Sequence, residues 1–198
     1  MPRAKSYSID ELKERALQQF WVHGYDGTSM DELVTATGIS RHGLYKEFGG
    51  KRSIFLACFD HYQRTIVSPA FARVEQAGST LADVRSYFEH QIEAAQAIGL
   101  PGPGCFVANS TTEAAPHDES VHSCVDHHND RLKAGFASAL RNSAGRALAE
   151  NEASIAALAQ MLLVFATGLW SASRVTEDAG ALRASVETFL DILEERLS

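Results

Sequence analysis

The chain has 198 residues, 45% of them hydrophobic, which is enough for one large domain or for a small and a medium one around a packed core. Three widely spaced cysteines, Cys58, Cys105 and Cys124, form no disulfide framework and fit a reducing compartment. No run of roughly twenty apolar residues offers a membrane span, and Asp10, Glu11 and Glu14 behind the basic N-terminus exclude a secretory signal, so a cytoplasmic protein is expected. The net charge of −7 argues at first against nucleic acid, yet residues 1–52 hold eight Lys/Arg against seven Asp/Glu, and the excess acid lies beyond them. A local basic face binds phosphate even on an acidic protein.

The first predicted helix spans about 9–23. Ser8 and Glu11 have capping-box spacing, Ile9, Leu12, Ala16 and Phe20 share a face, and Gly24 ends it. Ser29 and Glu32 repeat the capping-box spacing and open a second helix, which Gly38 stops. Ser40 then caps a third helix whose first turn carries Arg41, His42 and Gly43. Two short helices joined by a tight turn follow helix-turn-helix logic, in which the second presents its N-terminal residues to the DNA major groove. A fourth helix is expected from about 51 to 67, with Ile54, Phe55, Cys58, Phe59 and Tyr62 on an apolar face and Pro69 closing it.

Beyond it the pattern predicts a helix over 80–98, a strong breaker at 99–104, a short helix over 105–114 and a polar helix over 119–142. A turn near 143–151 precedes two closing helices, 152–175 and 180–197. Ile155, Leu158, Leu162, Phe165 and Leu169 stripe the first, and Leu182, Val186, Phe189, Leu193 and Leu197 the second. The chain therefore reads as all-α, with about nine helices and no convincing strand.

Thr28, Leu33, Ala36, Gly38, Ile39, Ser40, Leu44, Tyr45, Phe48, Gly49 and Lys51 carry a more specific signal. With Leu44-Tyr45-x-x-Phe48 followed by Gly-x-Lys as its core, this stretch resembles the signature of TetR-type (tetracycline-repressor-like) transcriptional regulators. The resemblance implies a helix-turn-helix DNA-binding domain over 1–50 and a helical ligand-binding and dimerisation domain over 51–198. It also implies a homodimer through the last two helices, where Ala156, Ala157, Ala159, Ala166 and Gly168 would allow close approach, with plain core as the lesser alternative for both stripes. The function implied is a repressor released from near-palindromic double-stranded operator DNA by a small-molecule effector.

Arg41 is the first candidate for a base contact, because its planar fork can donate two hydrogen bonds to guanine, although a contact to phosphate alone remains the alternative. His42 can reach base or phosphate. Thr28 and Ser40 lie at helix starts, which favour anions; Tyr45 and Lys51 match positions at which the family usually contacts phosphate, and Lys46 and Arg52 add charge. Gly43 departs from the Ser or Thr common there in the family, and as a weak helix former it should cost about 0.5–1 kcal/mol relative to Ala. The recognition helix is therefore expected to order fully only on DNA.

For the effector cavity, Phe59, Tyr62, Phe88, Phe106, Asn109, Phe136, Phe165 and Trp170 are candidates, each also readable as plain core. Cys105 is expected in the first turn of a short helix, where a lowered pKa would make thiolate available. Residues 104–113 also resemble a branch of the family that senses electrophiles or oxidants through cysteine, so a thiol-based sensor acting through Cys105 is the alternative function. His117, His122, Cys124, Asp126, His127, His128 and Asp130 invite a zinc reading but lack four well-spaced ligands, so a polar helix face or a histidine lining the effector cavity is expected instead. No metal or cofactor is expected. The chain has no glycine-rich phosphate loop and no nucleophile elbow, so an enzyme is not expected either.

Overall fold

In the computed structural model, which describes residues 7–198, the chain is helical throughout with no strand among those residues. Helix α1 (Ile9–His23) opens with the expected capping box between Ser8 and Glu11, and α2 (Met30–Thr37) with that between Ser29 and Glu32. Gly38 ends α2 in the left-handed region (φ 72°), its N–H donating to the Val34 carbonyl at 2.9 Å, and there the chain turns into α3 (Arg41–Phe48). The basic residues Arg3 and Lys5 lie outside the described residues.

Helix α4 (Lys51–Tyr62) does not stop at Pro69. It widens into one π-helical stretch, Gln63–Val67, and continues as α5 (Ser68–Phe71), with Pro69 in the first turn of that segment. Proline lacks the N–H that a continuing α-helix needs at this point, and its ring crowds the carbonyl four residues back. The wider turn, closed by the Ser68 N–H on the Gln63 carbonyl, accommodates it.

The remaining helices are α6 (Leu81–Ile98), α7 (Phe106–Glu113), α8 (Glu119–Ser143), α9 (Arg146–Ala149), α10 (Glu152–Ala172) and α11 (Ala179–Leu197). Nine of the eleven are eight residues or longer. The segment 143–151, expected as a turn, holds the short α9. Helix α10 ends at Ala172 rather than near residue 175, and Asp178 caps α11 by accepting from the Ala181 N–H.

Leu12, Ala16 and Phe20 of α1 are buried, as are Ile54, Phe55, Cys58, Phe59 and Tyr62 of α4. The two helices pack together, and α4 also touches α8. Phe55 and Phe59 meet Phe106 at ring-centroid distances of 5.4 and 4.9 Å, so one aromatic cluster joins α4 to the start of α7. Burial of each such ring contributes about 1.5–3 kcal/mol, and each aromatic pair roughly another 0.5–1.5 kcal/mol. By length and composition α10 is apolar enough to cross a membrane. In the fold its Ile155, Leu158, Leu162, Ala166 and Leu169 are buried, and the helix packs along α8.

Candidate functional site

Leu44 is the buried anchor of α3, and the rest of the helix turns around it. Arg41, His42, Tyr45 and Lys46 consequently stand in solvent, while Ser40 accepts from the Gly43 N–H at 3.2 Å and caps the helix. Arg41 is not free: its Nη2 sits 2.6 Å from Oδ1 of Asp31 on α2, an ion pair exposed on both sides. Lys51 rests its ammonium 4.2 Å above the Tyr25 ring. Thr28 is placed differently from the other candidates. It is fully buried, and its hydroxyl donates to the Gly24 carbonyl at 2.8 Å, so its side chain serves the turn before α2.

Gly43 has a packing role that propensity does not reveal. A Cβ at this position would lie 2.7 Å from Cγ2 of Ile39 and 3.3 Å from the Ser40 hydroxyl. The turn from α2 closes so tightly on α3 that a side chain there requires movement of a β-branched neighbour.

Several polar contacts join the head and the start of α4 to the elements that follow. Arg52 forks onto the Asp118 carboxylate, with Nη2–Oδ1 at 2.8 Å, and also reaches the Ser120 hydroxyl. Asp118 accepts from the Ser120 and Val121 N–H groups as the cap of α8, and Arg52 foremost, with those amides, holds its carboxyl down to about 2. Glu113 accepts from the Asp26 N–H at 2.8 Å, and the Trp21 indole donates to the Gly104 carbonyl at 3.1 Å.

Behind the Trp21 contact lies a cavity of about 290 Å³. Gln18 and Trp21 of α1 form one wall, and Tyr62, Ile66 and Val67 another. Tyr87 and Gln91 of α6, His128 and Leu132 of α8, Thr167 and Trp170 of α10, and Gly104 and Cys105 also line it. Of the residues expected here, Tyr62, Cys105 and Trp170 line it. Phe59, Phe88, Phe106 and Phe136 are buried in the core instead, in ring-to-ring contacts such as Phe88 on Phe136 at 6.4 Å. Phe165 stacks on Phe189 of α11 at 4.2 Å, and Asn109 donates to the Pro103 carbonyl at 2.8 Å, fixing the loop before α7.

Cys105 is the N-cap of α7 rather than part of its first turn. Its sulfur accepts from the Tyr62 hydroxyl at 3.5 Å. Burial pushes the thiol up, and this outweighs the opposing pull of Tyr62 and the Ala108 and Val107 amides. The expected activation by the helix terminus therefore operates but loses to desolvation.

Sequence reasoning passed over Trp21 and Tyr87 as cavity residues, and it expected a cavity histidine in the 117–130 segment without singling out His128. For His128 a signal was present: Val121, Val125, His128 and Leu132 recur at helical spacing, and all four are buried. The histidine-rich segment divides accordingly. His122 faces outward and meets Asp126 at 3.2 Å, whereas His128 turns inward.

The family model for bacterial regulatory proteins of the tetR family matches residues 13–58, and that for the tetracyclin repressor-like C-terminal domain matches residues 80–189. The chain is 28% identical to an uncharacterised HTH-type transcriptional regulator, YezE of Bacillus subtilis, over 98% of this chain and 100% of that one. It is 32% identical to the HTH-type transcriptional repressor ComR of Escherichia coli, over 60% of this chain and 57% of that one. Its fold is similar to that of CifR, a TetR family transcriptional regulator solved with 26 bp double-strand operator DNA. The TM-score is 0.80 at 23% identity, covering 96% of this chain and 98% of that one.

Proposed function

This chain belongs to the TetR family of transcriptional regulators, a family of DNA-binding proteins rather than of enzymes, and from that premise we propose that it is a cytoplasmic homodimeric repressor released from its operator by a small molecule in the cavity. The observation that carries this reading is the shared wall: Gln18 and Trp21 belong to α1 of the head, while the other lining residues belong to the body. A ligand that fits only one setting of α1 against the body changes the spacing of the two reading helices. It can do so only by its difference in affinity between the two settings.

On this reading residues 1–50 are the DNA-binding domain and 51–198 the sensing and dimerisation domain. Arg41 leaves Asp31 for a base edge, His42, Tyr45 and Lys46 contact DNA beside it, and Ser40 and Lys51 hold phosphate. Dimerisation uses the outer faces of α10 and α11. Met161, Val164 and Ile192 are 50%, 62% and 57% exposed there, and nothing stands within 4 Å of a Cβ built on Gly168. Two heads then read half-sites about 34–36 Å apart, one helical turn of DNA.

A second reading rests on Cys105, which lines the cavity and whose sulfur lies beside the Tyr62 hydroxyl: an electrophile entering the cavity would alkylate that thiol and occupy the same space as an effector. The deciding experiment is an electrophoretic shift on the DNA flanking the protein's own gene at two salt concentrations. Salt-sensitive, sequence-selective binding is expected, and non-selective binding on that DNA and on operators selected from random sequence would refute the repressor reading.

A further inference from the structure

Among the described residues, no Asp, Glu, Lys or Arg lines the cavity. An ionised ligand would leave water for a site with no counter-charge, at a cost of several kcal/mol. The volume, about 290 Å³, lies at the low end of the roughly 300–1,000 Å³ usual for small-molecule sites, which suits one aromatic ring with a short substituent.

One polar group in the wall has a fixed sense. Arg131 holds Glu75 through two contacts of 2.7 Å and donates to Oε1 of Gln63 at 3.4 Å. The Gln63 amide is thereby oriented with its N–H toward Nδ1 of His128, 2.7 Å away. Nδ1 accepts, so the neutral ring carries its proton on Nε2. Burial, with the charges of Arg131 and His127, pulls the imidazole down to about 4, so it is neutral at physiological pH. His128 is only 5% exposed, and no side chain among the described residues pairs with Nε2. Yet Nε2 is not both sealed and unpartnered, since the one such side-chain nitrogen or oxygen among those residues is His61 Nδ1. His128 itself is one of the residues lining the cavity. The π-helical stretch beginning at Gln63 sets up the arrangement, consistent with the frequent occurrence of such turns at functional sites.

We propose that the cavity selects uncharged, mainly apolar molecules carrying a hydrogen-bond acceptor such as a carbonyl or ether oxygen, and that His128 Nε2–H is the donor that holds this acceptor. The assignment deepens the effector reading and rests on it for its biological meaning. Binding itself is tested without DNA.

Both tryptophans of the chain, Trp21 and Trp170, line the cavity, so intrinsic fluorescence reports its occupancy directly. The probes are 4-phenylbutan-2-one, its hydrocarbon counterpart butylbenzene, the anion 3-phenylpropanoate and the cation 4-phenylbutan-2-amine, titrated into the full-length protein. The ketone should bind about 3- to 10-fold tighter than butylbenzene, the worth of one hydrogen bond, with both ions weaker than either. His128→Phe should abolish the ketone's advantage. His128→Gln should retain part of it through its amide N–H, and Gln63→Leu should reduce it by releasing the tautomer, with each variant's fold checked by circular dichroism. Equal binding of ketone and hydrocarbon, an ion that binds as well as the ketone, a preference that survives His128→Phe, or no quenching by any probe would each overturn the proposal. A ketone that binds as expected but leaves operator occupancy unchanged supports this assignment and counts against the effector reading alone.

Discussion

The protein is less stable in acid because the fold holds His128 neutral. Its folded value is about 4 against an ordinary 6.5, so between those values the unfolded chain binds a proton that the folded chain refuses. Stability then rises with pH across this window, is complete above about 6.5, and is lost as pH falls through about 4. At 1.36 kcal/mol per unit the full difference is about 3 kcal/mol, of which about 2 kcal/mol is already lost at pH 5. The comparison is between the natural protein and His128→Gln, a variant that does not titrate. Urea unfolding is followed at pH 7.5 and pH 5 at a single protein concentration, because the stability of a dimer depends on it. Other acid-sensitive groups act equally in both proteins, so the difference between the two losses isolates His128. The natural protein should lose about 2 kcal/mol more than the variant. Equal losses would mean that the imidazole is not held neutral in a dry site, and the derivation of its Nε2–H donor would fall with it.

Gly43→Ala gains helix propensity of about 0.5–1 kcal/mol but forces a Cβ to 2.7 Å from Ile39, where overpacking costs about 1–3 kcal/mol. Thermal unfolding should therefore show net destabilisation, reversed in sign when Ile39→Ala makes room; a higher melting temperature for Gly43→Ala alone would refute the packing argument. Arg41→Ala should weaken operator binding by about 1–3 kcal/mol. Asp31→Ala, which removes an exposed partner worth about 0–1 kcal/mol, should strengthen it up to about fivefold. If both variants weaken binding alike, the pair positions the arginine rather than competing for it. Alkylation by iodoacetamide at pH 7.5, followed by peptide mass spectrometry, should find Cys105 slower than a free small thiol, since burial lowers its thiolate fraction. Rapid labelling of Cys105 would favour the thiol-sensor reading. Val164→Glu should convert the dimer to monomer in sedimentation, because it places a charge on the exposed face of α10; an unchanged dimer would locate the interface elsewhere.

What the sequence determined by itself is local. The caps of Ser8, Ser29 and Ser40, the left-handed stop at Gly38 and the buried faces of α1 and α4 each depend on groups within about one turn of one another. Such contacts can be read from spacing alone, and so could the Leu44–Lys51 signature that marks the family. Tertiary packing decided the rest. Whether an aromatic residue lines a cavity or fills the core depends on which distant helices face it: Tyr62 and Trp170 fell on the cavity, Phe88 and Phe136 in the core. Cys105 stands at a helix start, as its sequence context suggested, but the burial that sets its reactivity comes from neighbours remote in sequence. The proton of His128 is placed by Gln63, Arg131 and Glu75 from three separate elements, and Gly43 is required by a side chain across a turn. A cavity is space that several helices leave between them, and no single stretch of sequence encodes it.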